Sequence, residues 1–244
     1  MKEFQDSLYA YLSAPKNFYT FSAAHWTTLI FCLFVIILLP QFAKKNLNEK
    51  QQHQLGSFLG ILISGTFIIS QLLILATGRY DINKDLPLQL CNFTNLTIGL
   101  VMIRRKFLWF EIFYFWAFAA MLQASFTPEL QQGFPHWLFF RYWLGHPGVI
   151  LCMVYAVQVY KFVPTKKSIL KSILVLNIYM VFIAIVNLIL NTNYLWICKK
   201  PIFPTIIDFC GPWPWYILVL EFIALIHFFV AYLPFIKANR QKME

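Results

Sequence analysis

The sequence predicts an all-α, polytopic membrane protein built as a bundle of seven transmembrane helices. Two observations lead to this fold class. Hydrophobic residues make up 59% of the 244 residues and charged residues only 12%, whereas about a quarter of an average soluble protein is charged. In addition, the chain repeatedly contains apolar runs of about 20 residues, the length that crosses a hydrocarbon core of roughly 30 Å.

Seven apolar runs follow one another along the chain, and each is predicted to form one helix. They cover about residues 25–43, 55–77, 86–103, 107–125, 137–160, 169–191 and 213–235. The linkers between them are short, so the chain has no room for a soluble domain. We therefore expect an N-terminal interfacial segment over residues 1–24, one seven-helix membrane domain over 25–237 and a cytoplasmic tail over 238–244.

The residues around the runs justify these elements in order. Run one follows the polar stretch MKEFQDSLYAYLSAPKNFYTF, whose aromatic residues favour the membrane interface, and no cleavage motif of a signal peptide closes the run. Run three opens at Pro87, and run five carries Pro147 between two glycines, where a kink would free backbone groups for a ligand. Run seven opens with the rigid, aromatic sequence GPWPW.

Basic residues are distributed unevenly between the two sets of connections. One set holds thirteen of them and the other holds six. The thirteen are Lys44, Lys45, Lys50, Arg104, Arg105, Lys106, Lys161, Lys166, Lys167, Lys171, Lys237, Arg240 and Lys242. The positive-inside rule then predicts a multi-pass protein of the cell membrane with its N-terminus outside and its C-terminus in the cytoplasm. The net charge of +10 suits anionic headgroups, and we expect no nucleic-acid partner.

This orientation places most polar residues of the membrane helices in the outer half of the bundle. Cys91 lies about five residues into run three and His146 about nine residues into run five, at depths of roughly 7–8 Å and 13–14 Å. Arg141 precedes His146 on the same run. The other polar residues expected near this face are His25, Gln71, Gln123, Glu129, His136 and Asn187. Because an unpaired polar group in hydrocarbon costs several kcal/mol, we expect an outward-opening polar pocket.

A cysteine and a histidine in one pocket suggest covalent catalysis. A thiolate attacks, an imidazole takes its proton, and the resulting thioester divides acyl transfer into two easier steps. Gln89, Asn92 or Gln123 would donate hydrogen bonds to the developing oxyanion. The 55 residues between Cys91 and His146 do not by themselves bring the two together.

Each of these residues also has a purely structural interpretation. Cys91 alone is typical of a small packing residue, and His146 alone is equally typical of a hydrogen bond between helices at a kink. Arg141 either extends its charge to the interface without a function, or binds a phosphate or Glu129. Trp213 is more typical of an interfacial anchor than of a cap over the pocket. Since the sequence has neither a zinc-binding spacing nor a glycine-rich phosphate loop, we expect no metal and no cofactor.

Five segments, in this order and spacing, resemble the bacterial YwaF-like integral membrane family. They are LPLQLCNF, FYFWAFAAMLQASFTPEL, FPHWLFFRYWLGHPG, NTNYLWICKKP and DFCGPWPWYI. That family is similar to the eukaryotic transmembrane protein 164 family of acyltransferases. The resemblance implies transfer of a fatty acyl chain from a phospholipid to a lysophospholipid through Cys91 of LPLQLC and His146 of LGHPG. It also leads us to expect histidine and aspartate where this sequence has Gln89 and Asn92.

We therefore predict a membrane-embedded lipid acyltransferase whose pocket opens to the outer leaflet. Cys91 and His146 would be catalytic. The predicted substrate-binding residues are Gln89, Asn92, Gln123, Glu129, His136, Arg141, Asn187 and Trp213. The predicted partners are membrane phospholipids and a lysolipid or lipoprotein acceptor. The alternative is a transporter or small-molecule-binding protein with a non-reactive polar pocket, although the sequence shows no internal repeat such as many transporters have.

Overall fold

The computed structural model describes residues 1–201 and 206–236. The predicted cytoplasmic tail, residues 238–244, lies outside the described residues. Within the described ranges all regular structure is helical, which confirms the all-α prediction. The main helices are α1 (Lys2–Leu12), α2 (Ala23–Asn46), α3 (Glu49–Ala76), α4 (Leu90–Arg104), α5 (Phe107–Phe126), α6 (Trp137–Gln158), α7 (Lys166–Leu190) and α8 (Trp215–Tyr232). Short 3₁₀ turns cover Tyr194–Trp196, Ile206–Cys210 and Leu233–Phe235.

Each of the seven predicted runs overlaps one of these helices, α2 to α8. Five of them are long and apolar enough to cross a membrane, namely α2, α3, α5, α7 and α8 with the turn that follows it. Helix α4 is apolar but has only 15 residues, and α6 has 22 residues and carries the polar groups of run five. The chain is thus a membrane protein with several apolar helices.

The N-terminus of α4 differs from the sequence expectation. Run three was predicted from residue 86, but the helix begins at Leu90. Residues before it form a turn in which the Leu88 N–H donates to the Leu86 carbonyl over 2.7 Å. Pro87 between them restricts the residue before it to extended backbone, which delays the helix. Gln89 is the N-cap residue, so Cys91 lies in the first turn of α4 and not deep along it.

Small residues bring α3 and α4 into close contact. A Cβ atom added at Gly60 would lie 2.9 Å from Met102 Cβ and 3.1 Å from Gly99 Cα, so only glycine fits there. One turn along α3, Ser64 Oγ donates to the Asn95 carbonyl over 2.9 Å and accepts from the Gly99 N–H over 3.0 Å. Small residues spaced four apart are a common way for membrane helices to pack. This packing fixes the position of α4, which carries Cys91.

Helix α5 forms the centre of the bundle. Its aromatic sequence FLWFEIFYFW is buried from Phe110 to Trp116. The helix then widens into a π-helical segment over Ala117–Met121 before its last turn. On its N-terminal half, buried Glu111 accepts hydrogen bonds from Ser168 Oγ over 2.5 Å and Lys171 Nζ over 2.6 Å. These bonds fasten α5 to α7 on the side that the charge distribution predicts to be cytoplasmic.

The N-terminal segment covers the opposite end of the bundle. Helix α1 is joined to the end of α3 by an ion pair of 2.7 Å between Asp6 and Arg79. The Tyr11 carbonyl accepts a hydrogen bond from His136 Nε2 over 2.8 Å, and the two rings stack with centroids 4.3 Å apart. After α1, Phe18 is buried against α6. Thus the segment before α2 packs on the same end where α6 begins.

Candidate functional site

A polar cavity of about 430 Å³ lies beneath the N-terminal segment. The end of α1, the connection between α5 and α6, and the first turns of α6 form its walls. The lining residues are Leu12, Ser13, Glu129, Leu130, Gln131, Gln132, Leu138, Arg141 and Tyr142. Two predicted site residues, Glu129 and Arg141, thus face one cavity, whereas Cys91 and His146 are not among its described lining residues.

Arg141 is held between α3 and α4. Its Nη2 donates to Asn92 Oδ1 over 3.3 Å, and its Cζ lies 5.4 Å from the centroid of the Phe67 ring, within the range of a cation–π contact. In the part of the chain that the structure describes, no carboxylate forms an ion pair with Arg141. The charge of Asp85 acts on Arg141 without forming an ion pair with it. A half-buried guanidinium with no direct ion pair is suited to binding an anionic group such as a phosphate.

Cys91 lies in the first turn of α4, where the backbone still has unpaired donors. The first hydrogen bond within this helix is donated by the Phe93 N–H to the Gln89 carbonyl over 2.9 Å. The N–H groups of Cys91 and Asn92 precede it, and a helix N-terminus stabilises negative charge placed against such groups. The half-buried Cys91 side chain packs against the main hydrophobic core.

Helices α4 and α6 run side by side past this point. Asn92 contacts Arg141, and a Cβ atom added at Gly145 would lie 2.7 Å from Asn95 Nδ2. Glycine at position 145 therefore permits the close approach of the two helices. Since this contact places residues 95 and 145 at about one level, Cys91 and His146 differ in depth by about 7–8 Å, at 1.5 Å per residue.

The orientation of His146 is set by Tyr142, one turn earlier on α6. His146 Nδ1 lies 3.1 Å from the Tyr142 carbonyl oxygen. Because a carbonyl only accepts hydrogen bonds, Nδ1 must donate, which leaves Nε2 of the neutral ring unprotonated and able to take a proton. The imidazole also packs against the Tyr142 ring, with centroids 4.2 Å apart and the planes tilted by 33°.

Tyr142 was not predicted as a site residue, yet it contacts both the cavity and His146. Its hydroxyl donates to the Ala124 carbonyl over 2.7 Å. It lines the cavity, packs against His146 and interacts with the Glu129 backbone N–H. The sequence does contain a sign of this role, since Tyr142 precedes His146 by four residues and therefore lies on the same face of a helix.

Glu129 lies in the connection between α5 and α6, at the wall of the cavity. Partial desolvation raises the pKa of its carboxyl group above the ordinary value. When ionised, it is within electrostatic range of Cys91 and Tyr142. The cavity wall therefore carries an acidic group, even though glutamine and asparagine occupy positions 89 and 92.

Three other predicted site residues contact neighbouring backbone or side chains. His136 caps α6, with Nδ1 accepting the Leu138 N–H over 3.1 Å, while Nε2 binds the N-terminal segment. Gln89 Oε1 accepts the Leu195 N–H over 3.3 Å. Gln123 is exposed on α5 and donates to Thr127 Oγ1 over 3.1 Å. These contacts place the three residues around the site without bringing them to Cys91.

The last two predicted residues belong to the connection between α7 and α8. Buried Asn187 organises it, because its Oδ1 accepts from Thr192 Oγ1 and from the Tyr194 N–H, each over 2.8 Å. Trp213 is exposed, and its Nε1 donates to the Ile197 carbonyl over 2.9 Å. His25, also expected at this face, is fully buried between the N–H of Phe21 and the carbonyl of Ser125. Among the described residues, no cluster of three or more His, Cys, Asp or Glu side chains has an arrangement that fits a metal ion.

The model of the TMEM164 family matches residues 20–232, which is most of the chain and includes Cys91, Arg141, Tyr142 and His146. No curated protein and no solved structure matches the sequence. The chain therefore belongs to the TMEM164 family.

Proposed function

We propose that this protein is a lipid acyltransferase that moves a fatty acyl chain from a phospholipid to a lysolipid or lipoprotein acceptor through an acyl-Cys91 intermediate. The observation that carries this proposal is the position of Cys91. It lies in the first turn of α4, beside unpaired backbone donors and next to the helix that presents Tyr142, His146 and Arg141. Membership of the TMEM164 family agrees with a site within the membrane.

In the first half-reaction, the Cys91 sulfur attacks the ester carbonyl carbon of a phospholipid. His146 Nε2 accepts the thiol proton, a C–S bond forms and the C–O bond of the ester breaks. The proton then passes to the oxygen of the departing lysophospholipid. The fixed Nδ1–H donation from His146 to the Tyr142 carbonyl supports this role, because it keeps Nε2 in the acceptor state.

The backbone N–H groups of Cys91 and Asn92 are the candidate donors to the oxyanion that forms during the attack. They point out of the N-terminus of α4 ahead of its first hydrogen bond. Donors already fixed before the reaction stabilise a developing negative charge without reorganisation. The Asn92 side chain has a separate role, since its Oδ1 holds the Arg141 guanidinium.

Arg141 binds the phosphate of the lipid headgroup in this proposal. Its charge has no ion-pair partner within the described residues, and a charge-assisted hydrogen bond to phosphate contributes about 1.5–3 kcal/mol. In the second half-reaction, the hydroxyl of a lysolipid or the amine of a lipoprotein attacks the thioester carbon. The C–S bond breaks, the acceptor proton returns through His146, and Cys91 is again a thiol.

The proposal includes the finer topology of the chain. All seven helices α2 to α8 cross the cell membrane, with the N-terminus outside, the C-terminus in the cytoplasm and the cavity open to the outer leaflet. Thirteen basic residues in one set of connections against six in the other support this orientation. Helix α4 is short for a span, and the turn that precedes it extends the polypeptide toward the outer surface.

The experiment that tests the function is intact mass spectrometry of purified protein after incubation with phospholipid vesicles. We expect a mass increase of one fatty acyl group that hydroxylamine removes. Cys91→Ala should lose the adduct, and Cys32→Ala, a change at another half-buried cysteine, should keep it. His146→Ala should form the adduct much more slowly than the wild type. A wild-type protein that stays unmodified, or a Cys91→Ala variant that is still acylated, would rule out this mechanism.

A second candidate function is binding or transport of an anionic lipid or small molecule without a covalent step. The observation that favours it is the cavity itself, which Arg141 lines and Cys91 does not. Under this alternative, phospholipid would bind with equal affinity to the wild type and to Cys91→Ala, and no acyl group would be transferred by either.

A further inference from the structure

Tyr142 contacts both the cavity and one of the reactive residues. One side of its side chain lines the cavity together with Arg141 and Glu129. Its ring also packs against the His146 imidazole, with centroids 4.2 Å apart, and neighbouring Arg141 is bonded to Asn92, the residue that follows Cys91. A molecule that occupies the cavity therefore contacts Tyr142, which separates it from His146.

The hydroxyl of Tyr142 is fastened to a second helix. It donates to the carbonyl of Ala124 over 2.7 Å, in the last turn of α5, and it also interacts with the backbone N–H of Glu129. The anchoring carbonyl follows the π-helical segment Ala117–Met121, and such segments are frequent at functional sites. The ring is thus held by its interactions with Ala124 and Glu129 and by its ring contacts with His146 and Trp143. A rotation of the side chain has to break these contacts.

The position of the Tyr142 ring against the imidazole also orients His146. The Tyr142 carbonyl fixes the Nδ1 proton and the Tyr142 ring fixes the plane of the imidazole. The carbonyl belongs to the backbone of α6 and stays when the side chain rotates. A rotation of the ring would therefore open a path to His146 and Cys91 without changing which nitrogen of His146 carries the proton.

We propose that Tyr142 is a positioning residue that closes the path from the outer cavity to Cys91, and that its side chain must leave the Ala124 carbonyl before a lipid acyl group reaches the thiol. The identity of the acyl substrate rests on the proposed function. The barrier that the Tyr142 side chain forms concerns only access to Cys91. It predicts that the size of the molecules that reach Cys91 is set by Tyr142.

The test is the rate at which Cys91 is alkylated in membranes by two maleimides. One is the small N-ethylmaleimide and the other carries a bulky lipid-like group. The yield is read from the peptide that contains Cys91, so that reaction at exposed Cys198 does not interfere. The ratio of the bulky-reagent rate to the small-reagent rate is compared between the wild type, Tyr142→Ala and Tyr142→Phe. Tyr155→Phe is the matched control, because Tyr155 also donates from α6 to a carbonyl, that of Gln52 over 2.6 Å.

We expect the ratio to rise about ten-fold or more in Tyr142→Ala, where the ring is gone. In Tyr142→Phe, which loses only the hydroxyl bond, we expect a rise of about two- to ten-fold. The control should not change it. A ratio that is equal in the wild type and in both variants would overturn the barrier. Should Tyr142→Ala not fold, Tyr142→Phe keeps the ring volume and decides the question.

The acylation assay on the same preparations separates this inference from the proposed function. If the ratio rises but phospholipid never acylates Cys91, the barrier stands and the acyltransferase mechanism is wrong. If Cys91 is acylated while both variants leave the ratio unchanged, the mechanism stands and lipid reaches the thiol by another path, which overturns the role of Tyr142.

Discussion

Two polar regions lie at opposite ends of the bundle, and they satisfy their charges differently. We call them inner and outer after the orientation proposed above. In the inner region, the carboxylate of buried Glu111 binds Ser168 and Lys171 within 2.6 Å, so each of its oxygens has a partner. In the outer region, Arg141 has an amide and an aromatic ring as neighbours. The charge of Asp85 acts on it, but among the described residues no carboxylate forms an ion pair with it. Buried Asn95, further along α4 than Asn92, has an Oδ1 atom with no described hydrogen-bond partner. The inner region is complete without a ligand, whereas the outer region retains binding capacity.

This difference separates structural polar groups from functional ones better than residue type does. Both regions contain a charge that membrane helices tolerate only at a cost. A buried charge whose partners all come from the chain strengthens helix packing. A charge that keeps its hydrogen-bonding capacity beside a cavity is the one expected to bind a substrate.

The largest expected effect concerns His146. His146→Ala should lower the rate of acyl transfer by about 10²–10⁴-fold, the usual contribution of a general base, with little change in the melting temperature. The control is His227→Ala on α8. His227 makes the same type of bond, from Nδ1 to the carbonyl four residues earlier, over 2.8 Å. Equal loss of activity in both variants would mean that His146 acts through helix stability. The measurement is the initial rate of thioester formation by intact mass.

The second prediction compares one substitution in each of the two regions. Arg141→Gln should weaken phospholipid use by about ten- to hundred-fold, since it removes a charge-assisted bond, and should leave the melting temperature nearly unchanged. Glu111→Gln should do the reverse. It should lower the unfolding free energy by about 1–3 kcal/mol, because Lys171 loses its counter-charge, and leave the transfer rate of the folded protein intact.

The measurements for this pair are thermal unfolding in detergent and the dependence of rate on phospholipid concentration. Arg141→Lys provides the conservative comparison, because lysine keeps the charge but not the planar donors that match a phosphate. If Glu111→Gln impaired phospholipid use as much as Arg141→Gln, the two regions would not differ in function.

The helices could be predicted from the sequence because apolar length is a local property. Each predicted run from α2 to α8 overlaps a helix, and the charge distribution separates the two ends. The depth of Cys91 could not be read in the same way. Counting residues from position 86 treated the turn around Pro87 as helix, and the structure instead starts α4 at Leu90.

The candidate site was predictable in its residue types but not in its contacts. Hydropathy points to Cys91, Arg141 and His146 because such residues are costly in a membrane. It gives no indication of which polar side chains are already used by nearby backbone, as Asn187 is by Tyr194 seven residues later. Nor does hydropathy single out Tyr142, because tyrosine is common in membrane helices. The importance of Tyr142 comes from its position between a cavity and a histidine.

The smallest expected effect comes from Glu129, at the edge of the outer region. Because desolvation raises the pKa of this carboxyl, the folded protein holds the proton more tightly than the unfolded chain does. The stability from this group is thus present below its pKa and is lost as the pH rises through the raised value. The same ionisation puts a negative charge in the cavity that Arg141 lines, so phospholipid use should fall by about two- to five-fold over that pH range.

Glu129→Gln should flatten both pH profiles, measured by thermal unfolding and by initial acylation rate. The control is Asp208→Asn, a change at a carboxyl in the connection between α7 and α8, which should leave the profiles as in the wild type. Profiles that keep their slope in Glu129→Gln would show that another group titrates, and that the acidic side of the cavity does not act on the phosphate site.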